Sequence, residues 1–166
     1  MDRIEIRHSG DADVEQIRQL YAEPSVYADT LQLPFPSAAT WAARLRTLPE
    51  GSYSLVACRG PEVLGQLGLS LETGPRRRHA AHFGMGVKGS ARREGVGSAL
   101  LAAAVDMAER WLAVRRLELL VYGDNHAAIG LYEKFGFRAE GTLRRYAFRN
   151  GHFVDARIMA RMTEDA

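Results

Sequence analysis

The stretch AAHFGMGVKGSARREGVGS, residues 80–98, joins an apolar, strand-like segment to the start of a long helix. Its first eight residues have the apolar character of a buried strand, but Gly84 and Gly86 lie inside it. Glycine weakens a strand interior unless a bulge or a close backbone approach requires it, so we expect something to come close to this backbone. From Val96 to Trp111, apolar residues recur at spacings of three and four, which predicts an amphipathic helix.

The turn between that strand and that helix is RREGVG, residues 92–97. Such a turn exposes successive backbone N–H groups, and the helix terminus adds partial positive charge, so an anion such as a pyrophosphate is favoured there. Gly95 and Gly97 would let phosphates approach the backbone. The turn lacks the Gly-Lys-Ser/Thr of a nucleoside-triphosphate loop and the dinucleotide GxGxxG, and an ordinary strand-to-helix turn is the alternative interpretation.

Outward from this stretch, the patterns predict one domain over residues 1–166 with strands and helices interleaved. Strands are predicted at 3–8, 54–58, 63–71, 80–87 and 116–122 and in a closing hairpin around 150–151; helices are predicted at 14–21, 38–48, 96–111 and just before Gly136. Residues 23–37 carry three prolines and no clean period, and predict a long irregular connection. This order predicts a mixed sheet.

Composition narrows the function classes. The chain is 46% hydrophobic and 25% charged with a net charge of +2, and its arginines are scattered among acids, so a nucleic-acid partner is not expected. No apolar run has signal-peptide length at the start or approaches the ~20 residues of a membrane span, which predicts no membrane association and a cytoplasmic location. The lone Cys58, in the apolar run SLVAC, is predicted to be a buried core thiol.

Two signatures in this chain resemble those of the GNAT acetyltransferase family. That family's pyrophosphate loop, (Gln/Arg)-x-x-Gly-x-(Gly/Ala), is met by Arg92, Gly95 and Gly97. The segment NHAAIGLYEKFGF, residues 125–137, is similar to its second signature. The residues in the expected places there are Asn125, Ala128, Tyr132, Gly136 and Phe137. Residues 6–17 and 149–161 resemble the family's first strand and helix and its closing hairpin, so the likeness spans nearly the whole chain.

The resemblance implies an α/β (α+β) GNAT fold: a central mixed, mostly antiparallel, splayed sheet of about seven strands flanked by about four helices. Coenzyme A would lie where the strands ending at Val87 and Tyr122 splay apart, with its pantetheine amides paired to one strand as an added strand would be. The cofactor-binding residues that the resemblance implies are Met85, Gly86, Val87, Arg92, Arg93, Glu94, Gly95, Val96, Gly97, Ser98, Asn125, Ala128 and Tyr132.

The implied activity is transfer of an acetyl group from acetyl-CoA to an amine by direct attack in a ternary complex, without a metal. Tyr132 would be the catalytic acid, because a phenol with a pKa near ~10 can give a proton to a departing thiolate. Backbone N–H groups at 85–87 would polarise the thioester carbonyl. The proton acceptor for the amine stays open among His82, His79, Glu72 and solvent.

The acceptor is predicted to be a small-molecule amine, and a free amino acid in particular. Residues 23–37, 75–79 and 84–87 are most similar to a bacterial family member assigned as an amino-acid N-acetyltransferase. The predicted substrate-binding residues are Tyr27, Leu33, Phe35, Trp41 and His82. The alternative is that the apolar ones cover the core. An arginine of the run 76–78 could hold a carboxylate.

Three other functions stay open at this point. The acceptor could be a protein N-terminus or a lysine, which would require an open groove instead of a lidded pocket. The domain could be a non-catalytic acyl-CoA sensor, against which an intact Tyr132 and 92–97 loop argue. An ATP site would need a lysine and magnesium ligands that the loop lacks. The family resemblance also suggests a possible homodimer.

Overall fold

The structure, a computed structural model, describes residues 3–163, so both ends of the predicted 1–166 domain lie outside the described part. Its strands are β1 (Glu5–His8), β2 (Ser52–Arg59), β3 (Glu62–Leu71), β4 (Ala80–Val87), β5 (Arg116–Tyr122), β6 (Arg138–Arg149) and β7 (His152–Met162). Its helices are α1 (Val14–Ala22), α2 (Pro24–Tyr27), α3 (Ala38–Arg46), α4 (Val96–Arg110) and α5 (His126–Lys134). No helix among these residues is both long and apolar enough to cross a membrane.

The seven strands form one sheet in the order β1-β2-β3-β4-β5-β7-β6. Every neighbouring pair is antiparallel except β4 and β5, which confirms the mixed, mostly antiparallel sheet. The described residues contain five α-helices instead of about four. The additional helix, α2, lies inside the segment predicted to be irregular, and it begins with Pro24, whose fixed φ suits a first helical position.

The parallel pair β4–β5 is joined over a short distance only. Its register runs from Ala80 opposite Arg116 to His82 opposite Glu118, and no pairing follows. β4 continues to Val87 bonded to β3 alone, and β5 continues to Tyr122 bonded to β7 alone. The sheet therefore opens into a V beyond His82, which confirms the predicted splay.

Helices cover both faces of this sheet. On one face, α4 and α5 bury an apolar stripe against β2 to β5, including Leu100 and Leu101, which are fully buried. On the other face, α1 and α3 pack Ile17 and Trp41 against β2. The predicted stripe of α4 is wrong at its end: the helix stops at Arg110, and Trp111 has left helical geometry with 78% of its surface exposed.

Candidate active site

Successive residues of β4 point to opposite faces of the V, as in any strand. Phe83, Met85 and Val87 pack toward the α4–α5 core. His82 and Gly84 are exposed on the other face, the one that α1 and α2 cover. A molecule bound on the α4 side of β4 would therefore lie across the strand from a second molecule bound on the side of His82 and Gly84. Two such binding faces suit a reaction between two substrates.

The RREGVG turn leads from β4 into α4 with backbone geometry suited to an anion. Arg93 and Gly95 have positive φ angles of 65° and 85°. Within the described residues, no backbone carbonyl accepts a hydrogen bond from the N–H groups of 93–98, whereas the next amide, that of Ala99, donates to the Gly95 carbonyl at 2.9 Å. Six successive amides at the start of a helix are thus available to phosphate oxygens.

The side chains of this turn differ in whether they bond to other residues. The Arg92 guanidinium donates to the backbone carbonyl of Ser25 at 2.7 Å, and Glu94 accepts from Arg59 at 2.6 Å. Arg93 is exposed and has no partner among the residues described. Of the two arginines predicted to bind the cofactor, Arg93 is the one whose guanidinium bonds to no other described residue.

The two glycines inside β4 differ in how much space surrounds them. A Cβ at Gly86 would lie 2.9 Å from Val26 Cγ1 and 3.1 Å from Tyr21 Cε1, so the protein's own packing requires this glycine. At Gly84 no atom lies within 4 Å of the position that a Cβ would take. The predicted close approach of a ligand has room at Gly84, whereas the side chains of Val26 and Tyr21 account for the glycine at position 86.

Tyr132 lies in α5 beside the V and is 7% exposed. Its ring packs edge-on against Phe83 and Phe137, whose ring centroids are 5.8 and 5.9 Å from its own. Among residues 3–163, no group hydrogen-bonds to its hydroxyl. Burial raises the pKa of this phenol to about 12, so the hydroxyl keeps its proton across the neutral range.

Both ends of α5 are fixed by its signature residues. The Asn125 side chain accepts a hydrogen bond from the Ala128 amide at 3.2 Å, which caps the helix start. Gly136 follows the helix with a φ of 82°, a conformation that favours glycine. Asn125 and Ala128, predicted to contact the cofactor, thus also position the helix that carries Tyr132.

The predicted acceptor residues are not brought together as one pocket. Leu33 and Phe35 are 78% and 98% exposed in the segment between α2 and α3. Tyr27 is half-buried at the end of α2. Trp41 is buried and stacks on Tyr21 with ring centroids 4.8 Å apart, which agrees with the alternative that it covers the core. Only His82 lies on the open face of β4.

Residues 25–30 bridge the V on the face that carries His82 and Gly84, which the sequence did not predict. At one end Ser25 accepts from Arg92, as described above. At the other end the Tyr122 hydroxyl, on β5, donates to the Thr30 carbonyl at 2.8 Å. Arg149 adds a long bond to the Ala28 carbonyl at 3.5 Å. The wide end of the V is therefore covered on this face, and its narrow end stays open.

A ladder of charged side chains crosses the sheet at the narrow end. His82 Nδ1 lies 3.0 Å from Glu72 Oε1. Arg77 bonds to Glu118 on β5, and Arg116 bonds to Glu140 and approaches Glu118 at 3.3 Å. Arg77, one of the arginines predicted to hold a carboxylate, is therefore engaged by the protein itself. No sequence signal links it to Glu118, because the two are far apart along the chain.

A splayed sheet, an amide-lined turn before a helix and a buried tyrosine beside the opening define an acyl-transferring fold of the GNAT class. The model of the acetyltransferase (GNAT) family matches residues 14–137, and the chain belongs to that family. It is an acyltransferase.

Relatives of the chain differ in the acceptors that their names state. It is 46% identical to the L-amino acid N-acetyltransferase AaaT of Escherichia coli over 162 residues, 98% of this chain and 99% of that protein. A phosphinothricin acetyltransferase from Sinorhizobium meliloti, solved with AcCoA, superposes with a TM-score of 0.85 at 25% identity, covering 96% of this chain and 88% of that one. A ribosomal-protein-alanine N-acetyltransferase from Brucella melitensis gives 0.81 at 25% identity, covering 96% and 99%.

Proposed function

We propose that this enzyme transfers the acetyl group of acetyl-CoA to the primary amine of a free amino acid. The observation that carries the proposal is the V between β4 and β5, which offers a cofactor side and an acceptor side on the two faces of one strand. The relative with 46% identity, which is named an L-amino acid N-acetyltransferase, supports the acceptor class.

The residues around the V fit acetyl-CoA. The edge of β4 that faces β5 has no strand partner beyond His82, so residues 85–87 can pair with pantetheine amides. The free amides of 93–98 and the exposed Arg93 suit a pyrophosphate. Gly84 leaves space on the acceptor face of the strand, where the amine would approach the acyl group. Acetyl-CoA supplies the thioester carbonyl that the amine attacks.

The chain's own residues would then contribute two effects. Backbone N–H groups on the free edge of β4 donate to the thioester oxygen as negative charge develops on it. Tyr132 donates its hydroxyl proton to the departing sulfur. Burial raises the pKa of Tyr132 to about 12, so its hydroxyl is protonated and can donate a hydrogen bond to the sulfur as negative charge develops on it.

A small acceptor is favoured over a protein acceptor by the bridge of residues 25–30. Its bonds from Arg92 and Tyr122 cover the wide end of the V, where an extended peptide would need an open groove. Acetylation of a protein N-terminus or a lysine is the second candidate, and the alanine N-acetyltransferase among the structural relatives is the observation that supports it. A non-catalytic sensor is the alternative that the sequence left open, while a homodimeric state and a cytoplasmic location stay predictions.

The test is release of free thiol from acetyl-CoA by the purified protein, with free amino acids compared against short peptides, polyamines and aminoglycosides. We expect turnover with one or more free amino acids and at least a tenfold lower kcat/KM with peptides that carry the same N-terminal residue. A higher kcat/KM with the peptides than with the free amino acids would favour a protein acceptor instead. Binding of acetyl-CoA without turnover on any amine would favour the sensor.

A further inference from the structure

His82 is the last residue of β4 that pairs with β5, and it therefore stands where the V begins. Its side chain lies on the acceptor face, and 58% of it is exposed. Its Nδ1 is 3.0 Å from Glu72 Oε1, and Glu72 is fixed in turn by its own backbone N–H, which donates to the Ala80 carbonyl at 2.9 Å. The imidazole is thus oriented by a carboxylate at the narrow, open end of the site.

The hydrogen bond to Glu72 determines which ring nitrogen is free. A carboxylate oxygen accepts, so Nδ1 carries the hydrogen, and Nε2 keeps a lone pair that can accept a proton. The neighbours around the ring come from each adjoining element. They are Ser70 opposite it on β3, Glu118 opposite it on β5, and Arg77, which bonds to Glu118 and lies 3.9 Å from Glu72.

We infer that His82, positioned by Glu72, removes the proton that keeps the acceptor amine from attacking. The inference rests on the proposed function, because it needs an ammonium group on the acceptor face. Nε2 takes one proton from the ammonium and passes it to solvent, to which the ring is exposed. The free amine then forms the C–N bond as the C–S bond breaks. A second nitrogen proton balances the proton gained by sulfur, and the products are an amide, a thiol and one released proton.

Other basic groups near the V are less suited to this step. His79 precedes β4, and its carbonyl is the acceptor for the Arg115 and Arg116 amides at the closed end of the β4–β5 pair. Its ring has no orienting partner among the described residues. Tyr132 belongs to the opposite face, where it packs against Phe83. Of the residues from 3 to 163, His82 alone combines the acceptor face, the start of the V and an orienting carboxylate.

The experiment compares His82→Gln and Glu72→Gln with wild type by measuring kcat/KM for the amino acid from pH 6.5 to pH 10. His79→Gln is the matched control. We expect His82→Gln to lose about 10²-fold in kcat/KM near neutral pH, in line with removal of a general base. The loss should shrink as pH rises, because free amine becomes available without the enzyme's help. The KM for acetyl-CoA should not change, and His79→Gln should keep wild-type rates.

Glu72→Gln should show a smaller loss with the same pH trend, because an amide can still hold the ring but does not stabilise the imidazolium. A purely structural role for the pair would lower the rate equally at every pH, and that result would overturn the inference. Wild-type rates in His82→Gln would overturn it as well. Absence of turnover in wild type with any free amino acid is a different result: it would reject the proposed function before the variants are compared.

Discussion

The guanidinium of Arg92 donates a hydrogen bond of 2.7 Å to the backbone carbonyl of Ser25. A second hydrogen bond joins the same two segments, because the Gly89 amide donates to Glu23 Oε2 at 2.9 Å. Together they tie the turn that precedes α4 to the segment that covers the acceptor side. The first residue of the family's phosphate motif therefore holds the segment that bridges the V, and it links that segment to the turn proposed to bind the pyrophosphate.

Arg92→Ala should loosen residues 25–30 more than it weakens the cofactor site. We expect a higher KM for the amine, a smaller change in the KM for acetyl-CoA and a loss of about 1 kcal/mol in the free energy of unfolding, which is typical of one hydrogen bond. Steady-state kinetics and urea unfolding measure these effects. Arg93→Ala is the matched control and should have the opposite profile, with unchanged stability and weaker acetyl-CoA binding. If Arg92→Ala raised only the KM for acetyl-CoA, the bridge would not matter to the acceptor.

Two buried tyrosines offer the same substitution with opposite outcomes. The Tyr21 hydroxyl donates to Gln66 Oε1 at 2.6 Å, and Gln66 donates in turn to Ser54. Tyr21→Phe should therefore cost about 1–3 kcal/mol of stability, because it leaves a buried acceptor unsatisfied. Tyr132→Phe keeps the ring packing and removes no hydrogen bond seen among residues 3–163. It should keep its stability and lose about 10²-fold in kcat.

The measurements are thermal unfolding and thiol release for both variants. A Tyr132→Phe enzyme with normal kcat would show that the departing sulfur takes its proton from elsewhere.

The glycines of β4 make a second matched pair. Gly86→Ala forces a Cβ to within 2.9 Å of Val26, so it should destabilise the fold by about 1–3 kcal/mol. Gly84→Ala meets no atom within 4 Å and should leave stability unchanged or slightly higher. Its methyl group would occupy space on the acceptor face of β4, so we expect a clear loss of kcat/KM for the amine. Full activity in Gly84→Ala would mean that the amine approaches elsewhere.

Stability should fall at alkaline pH because of the buried phenols. In an unfolded chain a tyrosine loses its proton near pH ~10, whereas burial raises the pKa of Tyr132 to about 12 and also raises that of Tyr21. The unfolded state therefore releases protons first. The stabilisation is complete below pH ~10 and declines above it, by at most about 1.4 kcal/mol per pH unit for each tyrosine.

Urea unfolding from pH 9 to pH 11.5 tests this. The slope should be smaller in Tyr132→Phe than in wild type. Equal slopes in the two proteins would mean that Tyr132 ionises as readily in the folded state as in the unfolded one.

Local patterns in the sequence identified the strands, the main helices and the turn that is proposed to bind an anion. The spacing from Val96 predicts α4 because apolar residues must share one face, and Asn125 and Gly136 mark the ends of α5 because their cap preferences depend on neighbouring backbone alone. The family resemblance then supplied the V between β4 and β5, which no single segment encodes.

Only the tertiary structure decided how distant segments meet. In the folded chain Arg92 contacts Ser25, Arg77 contacts Glu118 and His82 contacts Glu72. Trp41 lies in the core, stacked on Tyr21. Each of these contacts depends on side-chain directions set by packing across the sheet, and short-range periodicity carries no information about them. The sequence by itself thus determined most of the secondary structure and the turn proposed to bind the cofactor, while three-dimensional packing decided which charged groups remain free on the face proposed for the acceptor.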